Sequence, residues 1–173
     1  MAKATKTPAK ASFKVGDYVV YPTHGVGKIS GKETESIGEF EVEVFVIEFE
    51  KDKMTLRVPV RRAEAAGLRA VSQGEEITKA MSTLKGRARA ARGMWSRRAQ
   101  EYEAKINSGD LVSVAEVVRD LHKNVDQSER SYSERMIYET AMGRLIGEVA
   151  ASEKIDDKEA HEKLLKVLKK QAA

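Results

Sequence analysis

The hydrophobic pattern of this 173-residue chain changes period once, and that change constrains the fold more than any other feature. From Phe13 to about Val71 apolar residues recur at every second position, in runs separated by turn residues. This is the signature of strands with one buried face. Beyond Gly74 they recur every three to four positions, the signature of amphipathic helices. Strands first and helices after define an α+β chain, with a β region at 13–71 and a helical region at 75–170 meeting between Gly67 and Gly74.

In the first region Val15-Gly16-Asp17 leads into Tyr18-Val19-Val20-Tyr21, and the turn Pro22-Thr23-His24-Gly25 leads into Val26-Gly27-Lys28-Ile29. Phe40, Val42, Val44 and Val46 then alternate with Glu41, Glu43 and Phe45. Ile47 and Phe49 continue on the other parity, which predicts a bulge or bend there. Met54, Leu56 and Val58 alternate with Thr55 and Arg57, and Pro59 closes the run. About five short antiparallel strands in so few residues predict a small, strongly bent sheet, an SH3- or Tudor-like barrel.

The second region reads as a compact bundle of about five helices. Ile77, Ala80, Met81 and Leu84 mark the first, and Trp95, Ala99, Tyr102 and Ile106 the second, stopped by Asn107-Ser108-Gly109. Leu111, Val114, Ala115, Val118 and Leu121 mark the third. A capping box, Ser131 with Glu134, opens the fourth, and Asp156 with Glu159 opens the fifth. The three prolines, Pro8, Pro22 and Pro59, all lie outside this half. Residues 1–12, basic and Ala/Thr-rich, are expected to form a disordered tail.

Composition excludes several classes. With no cysteine there is neither a disulfide framework nor a thiolate metal site, which suits a reducing cytoplasm. No run of about 18 apolar residues offers a membrane span, so a soluble, cytoplasmic, monomeric protein is expected. No GxxxxGK[ST] or GxGxxG loop cradles a phosphate. The three histidines, His24, His122 and His161, are scattered, His24 in a turn and the other two expected to be solvated on helices. The carboxylates, spread among lysines and arginines, read as solvated faces and not acid–base pairs. These readings predict no enzyme, no cofactor, no metal and no small-molecule substrate.

Net charge is only +4, so its placement matters more than its total. Lys79, Lys85, Arg87, Arg89, Arg92, Arg97, Arg98 and Lys105 crowd around the only tryptophan, Trp95. Arginine suits phosphate contacts and narrow minor grooves. Two readings of Trp95 compete. Its spacing to Ala99, Tyr102 and Ile106 makes it a core anchor; its place in the first helical turn, after Gly93 and beside Arg97 and Arg98, makes it a wedge against DNA bases.

The segments Phe13–Gly27, Lys53–Pro59, Trp95–Arg98, Ser108-Gly109-Asp110 and Ala115–Leu121 resemble, in order, those of the CarD family, in its short CdnL form. The resemblance spans Phe13 to Ala151. It implies a Tudor-like domain that binds the β subunit of RNA polymerase, followed by a helical domain that binds promoter DNA in the minor groove at the upstream edge of the bubble, so stabilising the open complex. It implies a polymerase contact through Arg57 on the strand Thr55–Pro59. It also implies a DNA contact through Trp95, with Arg97, Arg98 and Arg135 on the backbone; Arg92, from the same basic cluster as Trp95, is expected to join them. Taken alone, Arg57 has the polar parity of its strand and is expected to point outward. Where some members carry a second interface arginine, this chain has Glu35. A similar first domain occurs in the transcription-repair coupling factor, a DNA translocase, but this chain lacks a Walker motif. The alternative is an RNA- or ribosome-binding protein; readers of single-stranded RNA present several stacking aromatics, and here the basic residues lie in the helical half.

Overall fold

The computed structural model describes residues 13–89, 93–122 and 131–171. Five strands come first: β1 (Tyr18–Tyr21), β2 (Gly25–Ile37), β3 (Phe40–Phe49), β4 (Met54–Pro59) and β5 (Arg69–Ala70). They form one antiparallel sheet in the order β4-β3-β2-β1-β5, with a 3-10 turn at Val60–Arg62 between β4 and β5. Five helices follow: α1 (Glu75–Lys85), α2 (Trp95–Asn107), α3 (Leu111–His122), α4 (Tyr132–Glu153) and α5 (Asp157–Leu168). The α+β architecture is as expected. No helix among the described residues is long and apolar enough to cross a membrane.

The sheet curls around Val19, Ile29, Phe45, Ile47, Phe49, Val58, Ala63 and Leu68. Of the two parities of β3, it is Phe45, Ile47 and Phe49 that fill this core. Val44 and Val46 are buried on the opposite face, and Phe40 is exposed. The phase slip foreseen in β3 lies instead in its partner: Ile29 pairs with Ile47 and Gly31 with Val46, so Ser30 is the extra residue of a bulge in β2. Four consecutive buried residues, Val44 to Ile47, blurred the alternation because both faces are covered there. The strands are also longer than expected, β2 running 13 residues and β3 10.

The helical core contains Leu84, Ala115, Val117, Val118, Leu121, Ala141, Leu145, Val149, Ala160 and Leu164. Burial of each leucine or valine contributes about 1.5–3 kcal/mol. Helix α4 lies at its centre, touching α2, α3, α5 and strand β2. The starts are capped as foreseen: Ser131 Oγ accepts from Glu134 N at 3.1 Å, and Asp156 Oδ1 accepts from Glu159 N at 2.7 Å. Asp110 does the same for α3, accepting from Ser113 N at 3.1 Å.

The two parts interlock where the Pro22–Gly25 turn meets the α2–α3 turn. Arg144 of α4 donates to the Pro22 carbonyl at 2.9 Å and also to the Thr23 carbonyl. Burial lowers the pKa of this guanidinium, against the charge of Asp52, which raises it. From β5, Arg69 donates to the Gly109 carbonyl at 2.7 Å and pairs with Glu148 at 2.5 Å. Gly109, at φ +75°, packs on Pro22, 3.2 Å from where a Cβ would stand; no other residue type turns there so readily. Lys51 completes the seam, donating to the Gly143 carbonyl at 3.2 Å.

Candidate functional site

Two surfaces carry the residues singled out in the sequence. On β4, an edge strand, Thr55, Arg57 and Pro59 share one face. Their partners on β3 are Glu48, Val46 and Val44, and Gly31 and Glu33 of β2 continue the same face. Arg57 is exposed, as its parity predicted, but it is engaged: its Nε lies 3.4 Å from Glu33 Oε2 and 3.3 Å from Glu35 Oε1. All three groups are about half exposed, so each ion pair is weak, about 0–1 kcal/mol, and partner contacts can replace it. Glu35 therefore has a place in this chain's own surface. It pairs with Arg57, which stands opposite the buried Val46, so this face presents arginine and carboxylates together.

The second surface is the start of α2. Trp95, Ala99, Tyr102 and Ile106 do form one stripe against the helical core, Ile106 buried and the others partly buried. Trp95 is half-buried, its ring centroid 6.2 Å from that of Tyr102. The Arg98 guanidinium lies 5.3 Å from the Trp95 ring centroid and 5.9 Å from that of Tyr102, and reaches the Tyr102 hydroxyl at 3.4 Å. Trp95 is thus packed against the helical core, as the first of its two readings expects, and is partly exposed on its other side; held in place, it has few rotamers to lose on contact.

Arg97 is exposed beside it, and Met94 just before it is 76% exposed. The residue before α2, Met94, makes no side-chain cap hydrogen bond to it. Arg135 lies exposed in the second turn of α4, flanked by exposed Tyr132 and Met136. Arg92 lies outside the described residues, as does the tail 1–12.

Helix directions put the second surface away from the sheet. Helix α2 ends at the seam, where Gly109 meets Pro22. Trp95, twelve residues before Asn107, is about 18 Å from that end at 1.5 Å per residue. Helix α4 meets the sheet through Arg144 and Glu148, so Arg135, in its other half, also faces outward from the seam.

Buried charge holds the backbone just after α1. Asp120 of α3, 5% exposed, accepts from Arg89 N at 3.0 Å and pairs with Arg119 Nε at 2.9 Å. This pins the chain at Arg89. The expectation of uniformly solvated carboxylates fails at Asp120 and at Glu148, whose burial is compensated by arginine. His122 is partly exposed, and its Nδ1 lies 2.8 Å from the Tyr138 hydroxyl. Lys105, counted with the basic cluster, is neutralised by Glu116 at 2.7 Å. Among the described residues no His, Cys, Asp and Glu side chains cluster so as to hold a metal ion.

Sequence reasoning missed Arg69, Arg144 and Glu148. Their partners lie 40 to 122 positions away, and no local pattern marks them.

Comparison with known proteins matches two family models to successive parts of the chain. Residues 13–72 match the family model described as CarD-like/TRCF RID domain, and residues 79–165, half of the chain, match CarD, C-terminal domain. The Bacillus subtilis (strain 168) protein named "Putative transcription factor YdeB" is 27% identical over 147 residues, covering 85% of this chain and 96% of that one. The chain is of the transcription-factor type and is not an enzyme. It belongs to the CarD family.

Proposed function

We propose that this chain grips the β subunit of RNA polymerase with the β4 face and promoter DNA with the start of α2, and thereby stabilises the open complex at promoters such as those of ribosomal RNA. The observation that carries this reading is the interlocked seam, which fixes an arginine-bearing edge strand and a tryptophan–arginine helix start on one body. Residues 13–71 would be the polymerase-interaction part and 75–170 the DNA-binding part.

Arg57, with Thr55 and Pro59 on its strand, meets the polymerase, and β4, the edge strand among the described residues, leaves backbone groups for a partner strand. Trp95, set by Arg98 and Tyr102, presents its open edge to the minor groove at the upstream edge of the bubble. Arg97 and Arg98, with Arg135 and Arg92, neutralise backbone phosphates, and the backbone amides at the start of α2 add donors.

Tethering raises the local concentration of a weak DNA module, so neither contact alone need be tight. Better binding to the open state than to the closed state shifts that equilibrium, about tenfold for each 1.4 kcal/mol of difference. Minor-groove contacts distinguish little beyond A·T from G·C, so promoter choice follows from how readily the DNA bends or melts. The protein would act as a monomer in the cytoplasm, at the nucleoid.

The test is direct binding of the full chain to purified RNA polymerase and, separately, to fork-junction DNA. Arg57→Glu should abolish only the first, and Trp95→Ala should weaken only the second. Loss of both interactions in either variant without unfolding would refute the assignment of separate surfaces.

A further inference from the structure

The outer face of the sheet continues well past Arg57. Side chains directly opposite in register share a face, and Arg57 stands opposite Val46. Along β3 that face runs through Val44 and Val42 to Phe40, and along β2 it runs through Glu33 and Glu35 to Ile37. Along β2 the partner β1 reaches only Gly25–Lys28, and along β3 the partner β4 reaches only Val44–Phe49, so beyond Val44 the hairpin is a two-stranded ribbon. Such a ribbon has little to bury its side chains against. Val44 and Val46 are buried and Val42 is half-buried, whereas Ile37 and Phe40, paired across the turn, are 60% and 76% exposed.

The tip is a formed turn. Gly38 has φ +62° at the first position of a two-residue loop, as a type II′ hairpin requires. Six residues at about 3.3 Å each put Phe40 about 20 Å along β3 from the point opposite Arg57. The ribbon carries Glu33, Glu35, Glu39, Glu41 and Glu43, and no lysine or arginine occurs from 33 to 50. Glu33 and Glu35 meet Arg57, and Glu43 meets Lys32 at 3.5 Å, while Glu39 and Glu41 stand exposed around the apolar pair.

We infer that this hairpin tip is a second docking point on RNA polymerase, seating Ile37 and Phe40 in an apolar recess rimmed by lysine or arginine. The inference rests on the polymerase reading above, because the tip and Arg57 lie on one continuous face. Charge selects the occupant: the carboxylates repel nucleic acid and match a basic protein surface. An exposed aromatic paired with a branched aliphatic supplies the kind of anchor that dominates protein interfaces. The contact area then extends from the edge strand along the stripe, and Arg57 marks only one end of it.

Affinity of the full chain for purified RNA polymerase tests this, comparing wild type, Phe40→Ser, Glu39→Lys/Glu41→Lys and Arg57→Glu. Phe40→Ser should weaken binding about tenfold, leaving melting temperature and fork-junction DNA affinity unchanged. The double charge reversal should weaken it by a similar factor at low salt, less as ionic strength rises. Hairpin variants that bind like wild type, while Arg57→Glu binds poorly, would overturn the tip contact and leave the polymerase reading standing. Absence of wild-type binding would overturn both.

Discussion

Replacing Arg69 by methionine should destabilise the protein more than replacing Glu148 by glutamine, although both changes break the same ion pair. The Glu148 side chain is 3% exposed and that of Arg69 is 32% exposed. Arg69→Met leaves a carboxylate buried without its counter-ion and strips the Gly109 carbonyl of its donor, a loss of about 3–5 kcal/mol by comparison with broken buried pairs. Glu148→Gln keeps an acceptor for a guanidinium that water already reaches, so about 1–2 kcal/mol is expected. At about 2–4 °C per kcal/mol for a chain of this size, the melting temperature should fall by about 6–20 °C and about 2–8 °C respectively.

Arg69→Met/Glu148→Leu should recover much of the loss, because a buried pair can be replaced by apolar groups more cheaply than it can be halved. The assay is urea unfolding followed by far-ultraviolet circular dichroism and by fluorescence of Trp95, the only tryptophan, which reports on the helical part. In the wild type the two transitions should coincide. In Arg69→Met they should separate as the seam loosens. Equal losses from the two single variants, or a loss under about 1 kcal/mol for Arg69→Met, would refute the claim that this pair clamps sheet to helices.

Other perturbations separate stability from function. Ile47→Ala, at a fully buried position of the sheet core, should cost about 2–4 kcal/mol in chemical denaturation. Gly109→Ala should cost about 1–2 kcal/mol, from its positive φ and its approach to Pro22, again read by denaturation. Trp95→Ala should lower stability by only about 1–2 kcal/mol, because the ring is half-buried, yet remove most of the affinity for fork-junction DNA measured by anisotropy. Asp120→Ala should unpin the segment at Arg89, seen as faster amide exchange there and at the start of α2.

Much of the fold was legible because its signals are local. Helices α1 to α5 follow from apolar spacing, and Ser131 and Asp156 mark their starts by chemistry confined to four residues. The β region was legible as strands but not in phase. Val44 and Val46 are buried on the second face of the sheet, and a bulge at Ser30 in the partner strand sets the register. Nothing in β3 itself records that. Phe40 shares the alternating parity of Val42, Val44 and Val46 yet is exposed; only the ends of β1 and β4 reveal that the ribbon outruns its neighbours.

The outward direction of Arg57 followed from parity, whereas its pairing with Glu33 and Glu35 needed the intervening strand. The Arg98 cation–π contacts with Trp95 and Tyr102 lie within one helix at spacings of three and four, so that arrangement was within reach of sequence reasoning. The seam was not, since Arg69 and Glu148 lie 79 positions apart.

The central claim is that sheet and helix start act together on the promoter, and the lifetime of the open complex tests it most directly. With the cognate holoenzyme on a ribosomal RNA promoter, the wild-type protein should lengthen that lifetime. Trp95→Ala and Arg57→Glu, each folded, should each abolish the effect. An unchanged lifetime with wild type, or full activity in either variant, would contradict it.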